Sequence, residues 1–177
     1  MYKRQRRSFL RSRIRDVPDF PKEGVLFRDI TPLLADVEAF RTTIQLMVEA
    51  VDGESVDAVI GIESRGFMFG AALADKLGVG FVPVRKPGKL PAATNRAEYE
   101  LEYGSDAVDI HQDAIASGDR VVIVDDLIAT GGTAAAAAEL VARCGAEVTA
   151  FVFVINLVAL GGTKKLEPRR VVSILEY

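Results

Sequence analysis

Residues 120–133 read Arg-Val-Val-Ile-Val-Asp-Asp-Leu-Ile-Ala-Thr-Gly-Gly-Thr, and this stretch decides the fold. Four apolar residues, Val121 to Val124, run without a polar break into two adjacent carboxylates. A run that is apolar on both faces is typical of a central parallel strand covered by helices on each side. We therefore expect the carboxylates at the carboxyl end of that strand, where open α/β sheets bind their ligands.

A short turn, Ala129 to Thr133, leads from this strand into an alanine-rich helix. Its two glycines let backbone N–H groups approach an anion, with the positive end of the helix behind them. Because carboxylates repel phosphate, we expect Asp125 and Asp126 to bind hydroxyl groups or a metal while the turn binds one phosphate. The alternative is an unrelated βα turn in which the two acids only cap the helix.

A second buried strand, Ala58 to Ile62, repeats this design and ends in Glu63-Ser64-Arg65-Gly66 before another helix. Two such turns on neighbouring parallel strands would face each other across one crevice. A serine at a strand-to-helix turn also suggests a hydrolase nucleophile. The spacing here is Gly-x-x-Ser-x-Gly rather than Gly-x-Ser-x-Gly, and the only histidine, His111, would have to be the base, so the hydrolase is disfavoured.

The composition, 177 residues of which 49% are hydrophobic, is typical of a single domain over residues 1–177. The net charge of −3 is uneven, because residues 1–15 hold seven bases and no acid. We expect a basic helix over residues 9–15 and a flexible basic extension over residues 1–8. A nucleic-acid partner is disfavoured, since this arm has few aromatic residues for base stacking.

The single cysteine, Cys144, excludes an internal disulfide, and no apolar run reaches the roughly 18 residues of a membrane span. We therefore expect a cytoplasmic protein without a membrane partner. The remaining pattern predicts α/β architecture: a central, mostly parallel sheet flanked by helices, with a projecting loop. The predicted helices cover residues 36–51, 66–76 and 132–143, and the further predicted strands cover 81–84, 147–155 and 171–175, with a helix or turn at 160–166.

A cationic segment follows the strand at residues 81–84. Arg85, Lys86 and Lys89 cluster around proline and glycine, which suits a polyanion such as pyrophosphate. Residues 92–95 show no periodicity and are predicted to be the crown of a long loop. Residues 99–104 alternate like the returning arm of a β-ribbon, with 107–110 as its continuation. Long loops of this kind are often lids, and we expect a mobile lid over residues 86–104.

Several stretches together resemble the adenine branch of the type I phosphoribosyltransferase family. They occur in the order of that family, and the resemblance extends from about residue 10 to the last residue. The resemblance implies the type I phosphoribosyltransferase fold, with a flexible β-ribbon lid and a small N-terminal hood. The stretches are Phe-Arg-Asp-Ile-Thr at 27–31, Gly-Ile-Glu-Ser-Arg-Gly-Phe at 61–67, Val-Arg-Lys-Pro-Gly-Lys-Leu-Pro at 84–91, Leu-Glu-Tyr-Gly at 101–104, and the motif at 120–133.

The resemblance also implies a reaction and a set of ligands. The enzyme would be a glycosyltransferase of purine salvage that transfers the phosphoribosyl group of phosphoribosyl pyrophosphate (PRPP) to N9 of adenine, giving AMP and pyrophosphate. It would use Mg²⁺, held mainly through PRPP and pyrophosphate rather than by direct protein ligands. It would be a homodimer in the cytoplasm.

The resemblance assigns roles to individual residues. Glu102 and Arg65 would be catalytic, and Tyr103 would be the neighbour of Glu102 in the lid. Glu102 would close on the purine and ease the loss of its proton. The Glu63-Ser64-Arg65 turn would bind pyrophosphate and often contains a cis peptide in the family. Ribose and its 5′-phosphate would be bound by Asp125, Asp126, Ala129, Thr130, Gly131, Gly132 and Thr133; pyrophosphate by Glu63, Ser64, Arg65, Arg85, Lys86 and Lys89, with Arg85 in its own or the partner's site; adenine by Leu26, Phe27 and Arg28.

Two other functions stay open at this point. A guanine or hypoxanthine enzyme needs a donor facing a 6-oxo group, for which Lys164 or Lys165 is available. The Leu-Glu-Tyr-Gly and Phe-Arg-Asp stretches favour adenine instead. The second function is that of a regulator which keeps the fold to sense PRPP or a nucleotide and whose basic arm touches nucleic acid.

Overall fold

A computed structural model describes residues 3–100 and 104–177, and the chain divides into two compact units. The first unit is Met1–Leu46 and the second is Met47–Tyr177. The sheet that carries the central strand lies wholly in the second unit. The single domain predicted over residues 1–177 stays a prediction.

The first unit contains a basic helix, a two-stranded antiparallel sheet and a short helix. The sequence pattern placed the first helix at residues 9–15, but it begins at Lys3 and ends at Arg11, so most of the expected flexible extension is helical. The Ser12 hydroxyl donates to the Phe9 carbonyl at 2.7 Å, which favours a helix end at this point. Arg15 then pairs with Asp29 across the small sheet. The elements are α1 (Lys3–Arg11), β1 (Arg15–Val17), β2 (Phe27–Asp29) and α2 (Thr31–Ala35).

Helix α3 (Val37–Ala50) follows, as the sequence predicted, and crosses from the first unit into the second. Asp36 caps it, because one Asp36 carboxylate oxygen accepts from the backbone N–H groups of Glu38 and Ala39 at 2.9 and 3.0 Å. These bonds satisfy donors that a helix start leaves without partners, and they lower the pKa of the Asp36 carboxyl.

The second unit is built on a five-stranded, fully parallel sheet in the order β4-β3-β7-β8-β9. Helix α4 packs on β3 and β7, and α5 packs on β7 and β8. This is the α/β fold that the sequence predicted. The elements are β3 (Ala58–Ile62), α4 (Gly66–Leu77), β4 (Gly80–Val84), β7 (Arg120–Ile128), α5 (Gly132–Arg143), β8 (Glu147–Asn156), two 3₁₀ turns (Val158–Leu160 and Gly162–Leu166) and β9 (Arg170–Glu176).

Strand β7 lies in the middle of this sheet, between β3 and β8. Residues Val121 to Val124 are fully buried, as their uninterrupted apolar run predicted. Pro83, which cannot donate a ladder hydrogen bond, lies in the edge strand β4. The strand that carries the two acids is therefore the central strand of the sheet, with a paired strand on each side.

A two-stranded antiparallel ribbon precedes β7 and consists of β5 (Thr94–Glu100) and β6 (Ser105–His111). The sequence pattern placed residues 92–95 in a loop and began the returning arm at residue 99, and both boundaries were wrong. Arg96 and Asp109 explain the difference, because their side chains form two hydrogen bonds of 2.7 and 2.9 Å across the ribbon. The lid mobility expected for residues 86–104 stays a prediction.

Among the described residues, no helix combines the length and the apolar character that crossing a bilayer requires.

Candidate active site

A cavity of about 460 Å³ opens in the second unit where β3 and β7 end. It brings together most of the residues that the sequence singled out in this unit. Those residues are Glu63, Ser64, Arg65, Lys86, Asp125, Asp126 and the turn Ala129 to Thr133. The lining also contains residues that the sequence did not single out, namely Ile62, Tyr99, Leu127, Ile128, Ala134 and Phe153.

The two adjacent acids lie within β7, which continues for two residues beyond them. Asp126 is only 5% exposed, and one of its oxygens lies 2.7 Å from Nε of Arg65. The Asp126 backbone N–H donates to an Asp125 oxygen at 2.8 Å. The turn after β3 and the acids of β7 are thus in direct contact through Arg65.

Asp125 is in an unfavourable place for a negative charge. Burial raises the pKa of its carboxyl well above the ordinary value, and the neighbouring charge of Asp126 adds to this, whereas Arg65 only partly offsets it. A hydroxyl-rich ligand that donates to this carboxylate would stabilise its charge.

We expect Asp125→Asn to stabilise the protein at high pH. The neutral carboxyl is the form that the folded state prefers, so the cost of the carboxylate is absent at low pH and grows as the pH rises through the raised pKa. Each unit by which the folded-state pKa of Asp125 exceeds its ordinary value costs about 1.4 kcal/mol of stability, which the substitution restores. In a chain of this size, each kcal/mol raises Tm by about 2–4 °C. Thermal unfolding of both proteins at pH 5 and pH 8 tests this, and the gain should be larger at pH 8.

The exposed Asp113, replaced by asparagine in the same way, is the matched control. It should leave Tm unchanged at both pH values. Equal Tm values for Asp125→Asn and the natural protein at pH 8 would contradict the unfavourable environment inferred for Asp125.

The turn after β7 has the backbone features of an anion site. Gly131 has φ +79°, a left-handed conformation that favours glycine, and helix α5 begins directly after it. No described side chain caps the first turn of α5. Its first N–H groups therefore point toward the cavity side without a capping acceptor, as in helix-start phosphate sites.

A second glycine, which the sequence analysis missed, supports this turn from outside. A Cβ atom on Gly162 would lie 2.2 Å from the Ala129 carbonyl oxygen, and one on Gly131 would lie 2.3 Å from the Gly162 carbonyl oxygen. The backbones at Gly131 and Gly162 therefore pack so closely that no side chain fits between them. The sequence signal was weak, because Gly161 and Gly162 look like an ordinary loop pair.

The turn after β3 contains a cis peptide between Glu63 and Ser64, as the resemblance implied. The Glu63 carboxylate accepts from the Lys86 backbone N–H at 2.9 Å and from Arg85 Nε at 3.2 Å. Desolvation opposes the charge of Glu63, but these donors outweigh it and lower the pKa of the carboxyl. Glu63 thus fixes the cationic segment against this turn, and its predicted contact with pyrophosphate stays a prediction.

The three cations of that segment have different surroundings. Lys86 lines the cavity, whereas Arg85 and Lys89 do not. Arg85 donates to the Lys89 carbonyl oxygen at 3.2 Å, and its guanidinium lies 5.9 Å from the centre of the Phe67 ring. Only Lys86 of the three is therefore placed to meet a ligand in the cavity of this chain.

The residues predicted to frame adenine belong to the first unit. Leu26 is 47% exposed, and the Phe27 ring meets the Phe20 ring edge-on with 5.1 Å between their centres. Arg28 forms an ion pair with Asp16 across the β1–β2 sheet. Glu102 and Tyr103 lie outside the described residues. The adenine contacts therefore stay predictions.

The structure disfavours the hydrolase alternative, because the candidate base His111 does not line the cavity. Ser64 lines the cavity, but His111 is absent from the lining and accepts from the Ala92 backbone N–H at 3.2 Å through Nε2. Lys164 and Lys165, considered for a 6-oxo purine, are exposed in the second 3₁₀ turn and also lie outside the lining.

Comparisons with known proteins identify the family to which this chain is similar. The family model of the phosphoribosyl transferase domain matches residues 31–175. An adenine phosphoribosyltransferase of Synechococcus sp. is 56% identical over 95% of this chain and 98% of its own length. The crystal structure of the adenine phosphoribosyltransferase of Thermoanaerobacter pseudethanolicus superposes with a TM-score of 0.95 at 51% identity, covering 97% of this chain and 99% of that one.

A third relative was crystallised with ligands. The Saccharomyces cerevisiae adenine phosphoribosyltransferase, complexed with an imino-altritol bisphosphate and adenine, has a TM-score of 0.92 at 45% identity, covering 97% of this chain and 99% of that one. The chain therefore belongs to the phosphoribosyltransferase family. Within that family, its identity of 45–56% to these enzymes over 95–97% of its length makes it a member of the adenine phosphoribosyltransferases.

Proposed function

We propose that the cavity of the second unit carries out the reaction of this family, in which N9 of adenine displaces the diphosphate of PRPP to give AMP and pyrophosphate. One observation carries the proposal: the half-buried Asp125, the buried Asp126 and the uncapped start of α5 line the same cavity. Hydroxyl acceptors and a phosphate cradle at adjacent places are what a ribose 5-phosphate group requires.

Binding of the sugar changes the contacts of the acids. The two ribose hydroxyls donate to Asp125 and Asp126, and the 5′-phosphate accepts from the backbone N–H groups of residues 129–133. Asp126 is held by Arg65 in this structure. Because the Arg65 side chain is 43% exposed, it is able to turn from Asp126 toward the diphosphate once the sugar occupies the acid.

The chemical step needs positioning and charge neutralisation more than covalent help from the protein. Substitution at the anomeric carbon passes through an oxocarbenium-like state, and alignment of the two reactants supplies about 7–11 kcal/mol. Arg65 and Lys86 stabilise the departing diphosphate in this cavity. The resemblance assigns Arg85 and Lys89, which lie outside its lining, to the same anion. Glu102 closes on the purine and eases the loss of its proton, while Leu26, Phe27 and Arg28 frame the ring.

The donor set fits a Mg²⁺ that arrives with the diphosphate. Among the described residues, no group of three or more His, Cys, Asp and Glu side chains is placed to hold a metal. Mg²⁺ is commonly held by substrate phosphates and water, with one or two carboxylates at most. When bound, it would neutralise charge on the leaving group. The roles given to the residues of this chain do not depend on a protein cage for the ion.

We further propose that the chain works as a cytoplasmic homodimer in purine salvage. The family resemblance supports the dimer, with Arg85 reaching pyrophosphate in its own or the partner's site. Arg85 lies outside the lining of the cavity in its own chain, and this position is compatible with a contact in the partner's site.

We expect the purified protein to release pyrophosphate from PRPP and Mg²⁺ when adenine is added, and to prefer adenine over hypoxanthine or guanine by at least about a hundredfold in kcat/KM. Sites that hydrogen-bond one polar edge discriminate strongly against the wrong donor pattern. A coupled pyrophosphate assay with each base in turn measures this. Turnover of hypoxanthine without turnover of adenine would overturn the choice of base.

A further inference from the structure

A cluster of three polar side chains, Lys86, Tyr99 and Asp106, joins the ribbon to the cavity. The proposed function gives a role to Lys86 but none to Tyr99 or Asp106. Lys86 Nζ donates to the Tyr99 hydroxyl at 2.8 Å and to a carboxylate oxygen of Asp106. The Tyr99 hydroxyl donates to the same Asp106 oxygen at 3.1 Å. Tyr99 and Asp106 face each other directly across the ribbon, so the cluster is built from one cross-strand pair and one lysine.

Lys86 is fixed at both of its ends. Its backbone N–H donates to Glu63 at 2.9 Å, which ties it to the turn after β3. Its ammonium has three N–H donors, of which Tyr99 and Asp106 engage two. Since the Lys86 side chain lines the cavity, the third N–H is the one available to a ligand there.

Tyr99 is fixed from a second direction by the phosphate turn. Its ring carbon Cδ2 would lie 3.2 Å from a Cβ atom on Gly132, the first residue of α5. The ammonium lies 5.4 Å from the centre of the Tyr99 ring, because it is bonded to the hydroxyl at the edge of that ring. The location of the Lys86 ammonium relative to the phosphate turn is therefore set through the Tyr99 ring.

Asp106 holds the ammonium without lining the cavity. Lys86 and Tyr99 line the cavity and Asp106 does not, so its carboxylate binds the ammonium from outside the lining. Desolvation opposes the charge of Lys86, but the bonds to Asp106 and Tyr99 outweigh it and raise the pKa of the lysine. Asp106 thus keeps the lysine protonated and oriented without competing for the same space as an anion.

We infer that Tyr99 and Asp106 are positioning residues that aim the Lys86 ammonium at the diphosphate of the sugar substrate. The inference rests on the proposed function, because it takes the ligand of Lys86 to be that diphosphate. It adds two residues of the ribbon to the diphosphate half of the site.

Tyr99→Phe and Asp106→Asn test the inference, because each keeps the shape of the side chain. The first removes one hydrogen-bond acceptor of Lys86, and the second removes the negative charge that holds its ammonium. We expect each to weaken the binding of magnesium pyrophosphate about tenfold, as for the loss of one hydrogen bond to a charged group. Binding of AMP, which lacks the diphosphate, should be unchanged. Calorimetric titration of both ligands measures this without turnover, and the KM for PRPP should rise in parallel.

Two comparisons separate positioning from a general effect on the ribbon. Glu98→Gln, at an exposed position of β5, should change neither affinity. In a Lys86→Met background, Tyr99→Phe and Asp106→Asn should have no further effect on pyrophosphate binding, because the group that they orient is gone.

Equal weakening of AMP and pyrophosphate, or effects that add to those of Lys86→Met, would overturn the inference. So would unchanged pyrophosphate binding in both single variants. A different result would overturn the proposed function: natural protein that binds pyrophosphate in a Lys86-dependent way but releases none from PRPP when adenine is added.

Discussion

Replacement of Asp125 and Asp126 by asparagine together is expected to lower kcat/KM for PRPP by at least about a hundredfold. Each acid accepts one ribose hydroxyl in the proposed complex, and a hydrogen bond to a charged group contributes about 1.5–3 kcal/mol. Two such losses correspond to a factor of about 10² to 10⁴. Initial rates at varied PRPP measure this, and direct titration should show that PRPP binding itself is weakened.

The thermal stability of this variant separates loss of binding from loss of folding. The double variant loses the Arg65–Asp126 ion pair together with the unfavourable charge of Asp125, and it should remain folded at pH 8. Asp113→Asn, at an exposed position, should keep full activity. Normal binding of PRPP by the double variant would show that the acids of β7 do not hold the sugar.

Gly131→Ala is expected to be as damaging, for a purely geometric reason. Its Cβ would lie 2.3 Å from the Gly162 carbonyl oxygen, a backbone atom that cannot rotate away, and φ at Gly131 is +79°. The turn must therefore shift, and a displacement of about 1 Å in a binding loop lowers activity about a hundredfold. Steady-state kinetics and thermal unfolding of the variant test this expectation.

Gly161→Ala is the matched control for that substitution. Gly161 also has a positive φ, +63°, but no described atom lies within 4 Å of the place its Cβ would take. It should lose about 1–2 kcal/mol of stability from the left-handed backbone and keep its activity. Similar activity losses in the two variants would show that backbone strain, rather than the contact between Gly131 and Gly162, controls the turn.

The sequence predicted the sheet and the two turns well, because those features depend on local pattern. The uninterrupted apolar runs at 58–62 and 121–124 indicate strands buried on both faces, since their length and β-branched residues are typical of a strand rather than a helix. The acids and glycines that follow were then placed by the geometry of parallel sheets alone. Helix α5 begins at Gly132 and ends at Arg143, as predicted.

The contacts between distant segments could not be predicted in this way. The ribbon register depends on Arg96 and Asp109, which look like ordinary surface charges in the sequence and become a bidentate pair only after the strands meet. The same holds for Tyr99 and Asp106. The first helix was placed too late along the chain because Ser12 favours its end and Arg15 contacts Asp29 in the small sheet, and the sequence pattern shows neither contact.

The pairing of β3 with β7 has a consequence for how this protein folds. Ala58 lies opposite Val121, so the cavity joins stretches that are 63 positions apart along the chain. Contacts of such long sequence separation form slowly, because the intervening loop must be closed first. A sugar phosphate that binds only the completed sheet, at about one hundred times its Kd, adds about 2.7 kcal/mol to the free energy of unfolding. Under the proposed function, the sugar substrate is therefore also a ligand that stabilises the folded state.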